Sequence, residues 1–261
     1  MNIVEDISAE GAGGDEPKPI SASDLSNWAL FLDVDGTLLD IAPGPDAVVV
    51  PPDLPSVLSR LKDRAGGALA LVTGREISFI DRLFAPLELA VAGIHGAELR
   101  FPDGTVKSAP VHPDLPGIIG QLYGFAGQYP GLLVEPKGRA VAIHYRKNPE
   151  MAEDVENLVH ELVQKSAPGL EIQPGKMVFE VRPAKADKGR AISILLEQEP
   201  YAGRRPLVLG DDWTDEPAFR TANARDGRSI RVGRDKRPTE ANETIADPAA
   251  VRRWLALMAQ D

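Results

Sequence analysis

Two segments of the sequence place acidic side chains directly after short apolar runs. The first is residues 33–37, Asp-Val-Asp-Gly-Thr, which follows the run Trp-Ala-Leu-Phe-Leu. Residues two apart in an extended segment face the same way, so the carboxylates of Asp33 and Asp35 converge on one spot. Two such charges repel each other unless a cation or a shared proton relieves them. Their spacing therefore indicates chemistry that uses paired carboxylates.

The second acidic segment, residues 210–216, reads Gly-Asp-Asp-Trp-Thr-Asp-Glu and follows Leu-Val-Leu. Magnesium binds one or two carboxylates together with waters and substrate phosphate. If the two apolar runs are neighbouring strands, Asp33, Asp211 and the Asp35 region form such a metal site. Each aspartate alone could instead be a turn former, and Asp215 suits the first turn of a helix. The occurrence of two such clusters favours the metal site.

Strand and helix patterns alternate around both acidic segments. Apolar runs end near residues 33, 72, 92, 210 and 232, and a hairpin pattern covers 97–107. Helical spacing of apolar residues occurs at 52–64, 76–84, 188–197, 214–222 and 249–259. This alternation predicts right-handed βαβ units and a largely parallel sheet. Ligands of such sheets bind beyond the carboxyl ends of the strands, where both acidic segments are expected.

The middle of the chain has a different pattern. Helical segments at 114–128 and 150–165 are each followed by two strand-like segments, at 132–135 and 139–146 and at 170–173 and 177–182. This pattern predicts an α+β insertion with an antiparallel sheet. We therefore expect a core made of residues 27–108 and 185–261, a cap at 109–184, and a disordered tail at 1–26, which is rich in Glu, Asp, Gly, Ser and Pro.

Composition excludes several classes of function. The chain has 261 residues and a net charge of -10, which argues against a nucleic-acid partner. It has no cysteine, so disulfides and thiolate metal sites are excluded. No apolar run approaches the roughly 18 residues that a membrane helix needs. We also see no signal-peptide pattern, and we expect a cytoplasmic monomer.

Four blocks together resemble the phosphohydrolases of the haloacid dehalogenase superfamily in order and spacing. They are DxDGT at 33–37, Val-Thr-Gly-Arg at 72–75, Lys188, and GDDxTDE at 210–216. The resemblance implies a Rossmann-like parallel-sheet core with an inserted α/β cap. It also implies that Asp33 is a covalent nucleophile and Asp35 the general acid and base, while Thr73 and Lys188 contact the phosphoryl group.

The same resemblance implies Mg²⁺ as the cofactor. Its ligands would be the carboxylates of Asp33 and Asp211 and the backbone carbonyl of Asp35. Asp212 or Asp215 would support the waters of the metal or orient the catalytic lysine. The metal would offset charge on the phosphoryl group in the transition state.

Further segments are similar to trehalose-6-phosphate phosphatases: Gly-Ile-His-Gly-Ala-Glu at 93–98, Glu-Pro-Lys-Gly at 135–138, His-Tyr-Arg at 144–146, and the stretch 175–189. In that family, cap glutamates and a lysine bind the sugar ring distal to the phosphate. The resemblance implies a substrate site that contains Arg75, His95, Glu135, Lys137, His144, Lys176 and Glu180. Two alternatives stay open: the cap positions face solvent on a half-exposed sheet, and His95 is a structural core residue.

The function that these resemblances imply is hydrolysis of trehalose 6-phosphate through a phosphoaspartyl intermediate, with a small sugar phosphate as the partner. The alternatives are a phosphatase of sucrose 6-phosphate or mannosyl-3-phosphoglycerate, a sugar phosphomutase, and a non-catalytic sensor. Two residues depart from the usual pattern. Pro136 precedes Lys137, and Trp213 stands within the acidic block, where it could narrow the site or line the seam between core and cap.

Overall fold

The protein is an α/β structure with two sheets, and the computed structural model describes residues 16–42, 44 and 47–260. In these residues the strands β1 to β12 cover Trp28–Leu32, Leu69–Val72, Ala90–Gly93, Glu98–Arg100, Val106–Ser108, Leu133–Lys137, Ala140–His144, Leu170–Gly175, Val178–Pro183, Arg205–Gly210, Arg228–Val232 and Glu243–Ile245. The helices α1 to α7 cover Leu54–Arg64, Ile77–Phe84, Leu115–Ala126, Ala152–Lys165, Lys188–Leu195, Glu216–Asn223 and Pro248–Met258. Short 3₁₀ turns cover Leu25–Asn27, Ile94–Gly96, Pro149–Met151 and Trp213–Asp215.

The larger sheet has the strand order β12-β11-β10-β1-β2-β3-β4-β5. Its strands from β12 to β3 are parallel, and the hairpin β4–β5 continues it in antiparallel fashion. Every residue of β1 is buried, as a strand covered by helices on both faces requires. The predicted parallel sheet is thus confirmed. Strand β12, a short strand at the edge of the sheet, was not predicted from the sequence.

The smaller sheet is antiparallel, with the order β6-β7-β9-β8. Helix α3 packs against β6 and β7, and α4 packs against β8 and β9. These elements confirm the predicted pattern of one helix and two strands, repeated once. The sheet has its own apolar cluster, separate from the one around the larger sheet. A third, small cluster joins the two regions and consists of Ile94, Ala97, Ala140 and Ala186.

The predicted tail, residues 1–26, is described only from residue 16 onwards. The described part differs from a disordered segment, because Ile20 and Leu25 are buried in the main core. The indole nitrogen of Trp254 donates to the carbonyl of Pro17 at 2.5 Å. The apolar side chains of residues 16–26 therefore hold this segment against α7, although most residues of the segment are polar. In the described part of the chain, no helix combines the length and the apolar character that crossing a membrane requires.

Candidate active site

The two acidic segments meet at the carboxyl ends of adjacent strands. Strands β1 and β10 pair so that Leu32 lies beside Leu209, and the Asp33 amide donates to the Leu209 carbonyl at 3.0 Å. The chain then turns through Gly36, whose φ is +83°. A Cβ added at Gly36 would lie 2.2 Å from Oδ2 of Asp211. The turn after β1 is thus pressed against the acidic segment after β10.

Three carboxylates converge at this point. Asp33, Asp211 and Asp215 each offer an oxygen, and these oxygens lie within 4.8 Å of one another. Burial, followed by the charge of Asp33 and that of Asp215, raises the pKa of Asp211 to about 9. An all-oxygen donor set with crowded negative charge fits a hard divalent cation. The predicted backbone ligand at Asp35 stays a prediction.

Lys188 is the buried cation among these acids. Its Nζ donates to Oδ1 of Asp33 at 2.8 Å and to Oδ1 of Asp215 at 2.6 Å, and the residue is 3% exposed. Burial alone would lower the pKa of Lys188, but the charges of Asp215 and Asp33 outweigh it and raise the pKa well above its usual value. Lys188 therefore carries a positive charge in direct contact with the predicted nucleophile.

Asp215 and Asp212 shape the loop that carries Asp211. Oδ2 of Asp215 accepts the amides of Asp211 and Asp212 at 3.0 and 3.1 Å. Oδ1 of Asp212 accepts the amide and the hydroxyl of Thr214 at 2.8 and 2.6 Å, and so caps the 3₁₀ turn that follows. Of the two predicted roles for these residues, the geometry of Asp215 fits the orientation of Lys188.

Asp35 lies in the same cleft but pairs with Arg75. The guanidinium donates to both oxygens of this carboxylate, at 2.6 and 2.7 Å. Its central carbon lies 4.2 Å from the ring centroid of Phe79, which supports the plane of the guanidinium. Thr73 precedes this arginine on the loop after β2, and its buried hydroxyl accepts the Arg75 amide at 3.1 Å. The hydroxyl proton of Thr73 can be donated elsewhere.

A buried charge network joins the two sheets. Nζ of Lys137 donates to Glu180 at 2.7 Å and to the carbonyl of Gly74 at 3.4 Å. Nε2 of His95 lies 3.7 Å from the other oxygen of Glu180. Burial lowers the pKa of His95. Burial alone would raise the pKa of Glu180, but the charges of Lys137 and His95 hold it well below its usual value.

His95 has an unusual backbone and close neighbours. Its φ of 52° is in the left-handed region, and a Cβ added at Gly74 would lie 2.6 Å from its Nε2. Its Nδ1 is buried and has no hydrogen-bond partner in the described part of the chain. The residue therefore contacts both sheets, which fits the predicted position at the seam.

The remaining predicted substrate residues lie on the smaller sheet. Nε2 of His144 is 2.8 Å from a carboxylate oxygen of Glu135. Burial alone would raise the pKa of Glu135, but the hydrogen bond from His144 and the charge of Lys137 outweigh burial and lower it. Lys176 is exposed in the turn between β8 and β9.

Most of these residues line one cleft of about 520 Å³ between the two sheets. Twelve of the predicted site residues line it: Asp33, Asp35, Thr73, Arg75, His95, Glu135, Lys137, His144, Lys176, Lys188, Asp211 and Asp212. The other two, Glu180 and Asp215, lie behind them as hydrogen-bond partners of the lysines. Trp213 does not line the cleft and is 57% exposed, so neither of its expected roles is found.

Several parts of the cleft wall were not predicted from the sequence, and two of them contact each other. One is the loop around Ile41 and Ala42, whose apolar and Gly/Pro-rich sequence gave no chemical signal. The other is Arg146 with Lys147. Nη1 of Arg146 donates to the carbonyl of Ala42 at 3.3 Å, so the two parts contact each other across the mouth of the cleft. The His-Tyr-Arg segment was the available signal for this arginine.

Comparisons with known proteins give a consistent result. A family model described as trehalose-phosphatase matches residues 31–249. A probable trehalose-phosphate phosphatase of Sinorhizobium fredii is 46% identical over 252 residues, which cover 97% of this chain and 95% of the relative. The trehalose-6-phosphate phosphatase of Escherichia coli is 38% identical over 238 residues, which cover 89% and 87% of the two chains.

A solved structure agrees with these sequence relatives at the level of the fold. The C-terminal domain of the trehalose-6-phosphate phosphatase of C. albicans superposes with a TM-score of 0.80 at 21% identity, and covers 93% of this chain and 98% of its own. The family model spans nearly the whole described chain and includes both sheets. The chain belongs to the trehalose-phosphatase family.

Proposed function

We propose that this protein hydrolyses trehalose 6-phosphate to trehalose and phosphate through a phosphoaspartyl intermediate on Asp33. The observation that carries the proposal is the buried contact of Lys188 with Asp33 beside the acidic group of Asp211 and Asp215. The names of the relatives that match almost the whole chain supply the substrate.

The first step transfers the phosphoryl group to the enzyme. The Asp33 carboxylate attacks phosphorus, the bond from phosphorus to the sugar oxygen breaks, and Asp35 donates a proton to the leaving alkoxide. Lys188 offsets the charge of the phosphoryl oxygens, and Thr73 donates its hydroxyl proton to one of them. Arg75 holds the Asp35 carboxylate towards the cleft during this transfer.

The second step releases phosphate. Asp35 takes a proton from a water molecule, the hydroxide attacks phosphorus, and the bond to the Asp33 carboxylate oxygen breaks. Mg²⁺, when held by Asp33, Asp211 and the backbone carbonyl of Asp35, would neutralise charge on the phosphoryl oxygens. Asp215 keeps Lys188 oriented through both steps.

The proposed cap, residues 109–184, would select the sugar. A cleft of about 520 Å³ is in the range that binds ligands of disaccharide size. Glu135, His144, Lys137 and Lys176 supply donors and acceptors on its cap side, which suits a ligand rich in hydroxyl groups. Glu180 would hold Lys137 in place and would not contact the sugar directly, because Glu180 is buried behind Lys137.

A phosphate-release assay tests the proposal. Trehalose 6-phosphate, sucrose 6-phosphate and mannosyl-3-phosphoglycerate are compared with Mg²⁺ and with a chelator. We expect fast release from trehalose 6-phosphate with Mg²⁺ only, and none from Asp33→Asn. Faster phosphate release from another sugar phosphate would identify that compound as the substrate. Phosphate that stays on the sugar would indicate a mutase. An Asp33→Asn variant as active as the parent would refute the mechanism.

We further propose that the enzyme acts as a monomer in the cytoplasm. The absence of cysteine from the sequence is consistent with a reducing compartment. Size-exclusion chromatography with light scattering tests the first part, with the mass of one chain as the expected result.

A further inference from the structure

A loop outside the cleft contacts the segment that carries Asp211. Nη2 of Arg237 donates to the main-chain carbonyl of Asp211 at 2.7 Å, across 26 positions of sequence. Arg237 is not among the residues that line the cleft. Its direct contact with the metal-ligand segment is this hydrogen bond to the Asp211 main chain.

The guanidinium of Arg237 is held from several directions. Its Nη1 lies 3.4 Å from Oε1 of Glu216, and its Nε lies 3.6 Å from Oδ2 of Asp235. Its central carbon is 4.5 Å from the ring centroid of Trp213. A guanidinium can form hydrogen bonds in its plane while it stacks on an aromatic face. The side chain is only 13% exposed, so these contacts enclose most of it.

The partners of Arg237 are themselves anchored. Oε2 of Glu216 accepts the amide of Glu240 at 2.7 Å, at the start of α6. The carboxylate of Asp235 accepts a hydrogen bond from Arg231, a buried residue of β11. Arg237 thus links the Asp211 main chain to a core strand and to the first turn of a helix.

The Asp211 segment needs such a restraint. The carboxylates of Asp33, Asp211 and Asp215 repel one another, since oxygens of all three lie within 4.8 Å. Asp215 fixes the amide of Asp211 from inside the loop, whereas Arg237 fixes its carbonyl from outside. The turn at Gly36 leaves almost no free space on the side of the Asp211 carboxylate.

We propose that Arg237 is a positioning residue for metal binding, which holds the Asp211 main chain so that its carboxylate is preorganised for the divalent ion. The ring of Trp213 supports the guanidinium while the guanidinium donates to the Asp211 carbonyl. This inference rests on the proposed role of Asp211 as a metal ligand. The same inference explains why the acidic block contains an exposed tryptophan, Trp213.

The test compares Arg237→Met with Arg220→Met. Methionine keeps the apolar stem but removes every donor and the charge. Arg220 lies near the same loop, pairs with Glu240 at 3.7 Å and is 56% exposed, so its variant is matched in charge. Binding of Mn²⁺ to the full chain is titrated by electron paramagnetic resonance, and the Mg²⁺ concentration for half-maximal phosphate release is measured alongside.

We expect Arg237→Met to weaken Mn²⁺ binding by about tenfold or more, as loss of an outer partner of a metal ligand does. The Mg²⁺ requirement should rise by the same factor, with KM for substrate at saturating Mg²⁺ unchanged. Arg220→Met should leave both quantities unchanged. Unchanged Mn²⁺ binding in Arg237→Met, or equal weakening in both variants, overturns the inference.

Two further outcomes are decisive. If Arg237→Met does not fold, Trp213→Leu removes only the exposed platform, and we expect Mn²⁺ binding to weaken about two- to fivefold; no weakening overturns the inference. If the parent releases no phosphate from sugar phosphates but its Mn²⁺ binding depends on Arg237, the proposed function fails and this inference stands.

Discussion

At the scale of single residues, the pairing of Arg75 with Asp35 is a contact that the sequence did not predict. The two side chains come from loops 40 positions apart and form a bidentate contact inside the cleft. The resemblance implied that Arg75 binds substrate. In the structure its guanidinium lines the cleft and forms hydrogen bonds to Asp35, the predicted general acid and base. A bidentate pair fixes both the direction and the plane of a carboxylate.

We expect Arg75→Met to lower kcat by about 100-fold, because a displaced proton donor loses its productive geometry. KM should change little, and Arg75→Lys should recover part of the rate. Single-turnover and steady-state phosphate release from trehalose 6-phosphate measure both parameters. Arg82→Met is the matched control, because Arg82 also lies over the Phe79 ring, at 5.4 Å, but does not line the cleft. A raised KM with unchanged kcat would instead show that Arg75 binds the substrate.

The acidic blocks were predictable because their members are close in sequence. Asp33 and Asp35 are two apart, and Asp211 follows a short apolar run that is typical of a buried strand. No local pattern indicates the partners of Lys188, since the nearer of the two, Asp215, is 27 positions away, and only the family resemblance implied that Asp212 or Asp215 orients it. The pairing of Lys137 with Glu180 spans 43 positions and gave no local signal. Long-range ion pairs need the fold before they can be assigned.

At the scale of elements, the site depends on the adjacency of β1 and β10 and on the turn that follows β1. Both strands were recognisable as continuous apolar runs, which is typical of buried parallel strands. Strand β12 was not recognisable, because it has three residues and begins with the half-buried Glu243. An edge strand of this kind has little apolar pattern to detect.

The turn at Gly36 leads to a prediction with a matched control. Gly36 and Gly104 have nearly the same φ, +83° and +85°, but only Gly36 has neighbours within 4 Å of an added Cβ. Both Gly→Ala variants should lose about 1–2 kcal/mol of stability from left-handed backbone strain. Gly36→Ala should also displace Asp211 and abolish Mg²⁺-dependent phosphate release.

Urea unfolding measures the loss of stability in the two glycine variants, and Mn²⁺ titration measures the metal site. The expected pattern is normal Mn²⁺ binding in Gly104→Ala and greatly weakened binding in Gly36→Ala. Normal Mn²⁺ binding in Gly36→Ala would show that the close approach of the two loops is not required for the site.

At the scale of the whole molecule, the two sheets meet through the buried network of Glu180, Lys137 and His95. The folded protein holds the pKa of Glu180 below its ordinary value of 4.5. The stability that this group contributes is therefore fully present above pH 4.5 and is lost as the pH falls below it, because the unfolded chain then binds the proton first.

Glu180→Gln should destabilise the protein by about 3–5 kcal/mol at pH 7, because the largely enclosed Lys137 loses the carboxylate that offsets its charge. The difference from the parent should shrink as the pH falls below 4.5, which urea unfolding at several pH values measures. Glu161→Gln removes an exposed pair with Lys165 on α4 and should cost at most about 1 kcal/mol. A Glu180→Gln difference that is constant with pH would contradict the assigned pKa shift.

The small cluster of Ile94, Ala97, Ala140 and Ala186 is the only described apolar cluster apart from the two main ones. Because so little apolar surface joins the two sheets, their contact rests largely on polar pairs such as His95 with Glu180. We therefore expect differential scanning calorimetry to resolve two heat-absorption peaks for the ligand-free protein. A ligand bound in the cleft contacts the residues of both sheets. It therefore stabilises the folded protein in which the two sheets are in contact, by mass action. Saturating concentrations of a trehalose 6-phosphate analogue should therefore merge the two heat-absorption peaks into one. The number of peaks would then report whether a ligand is bound in the cleft.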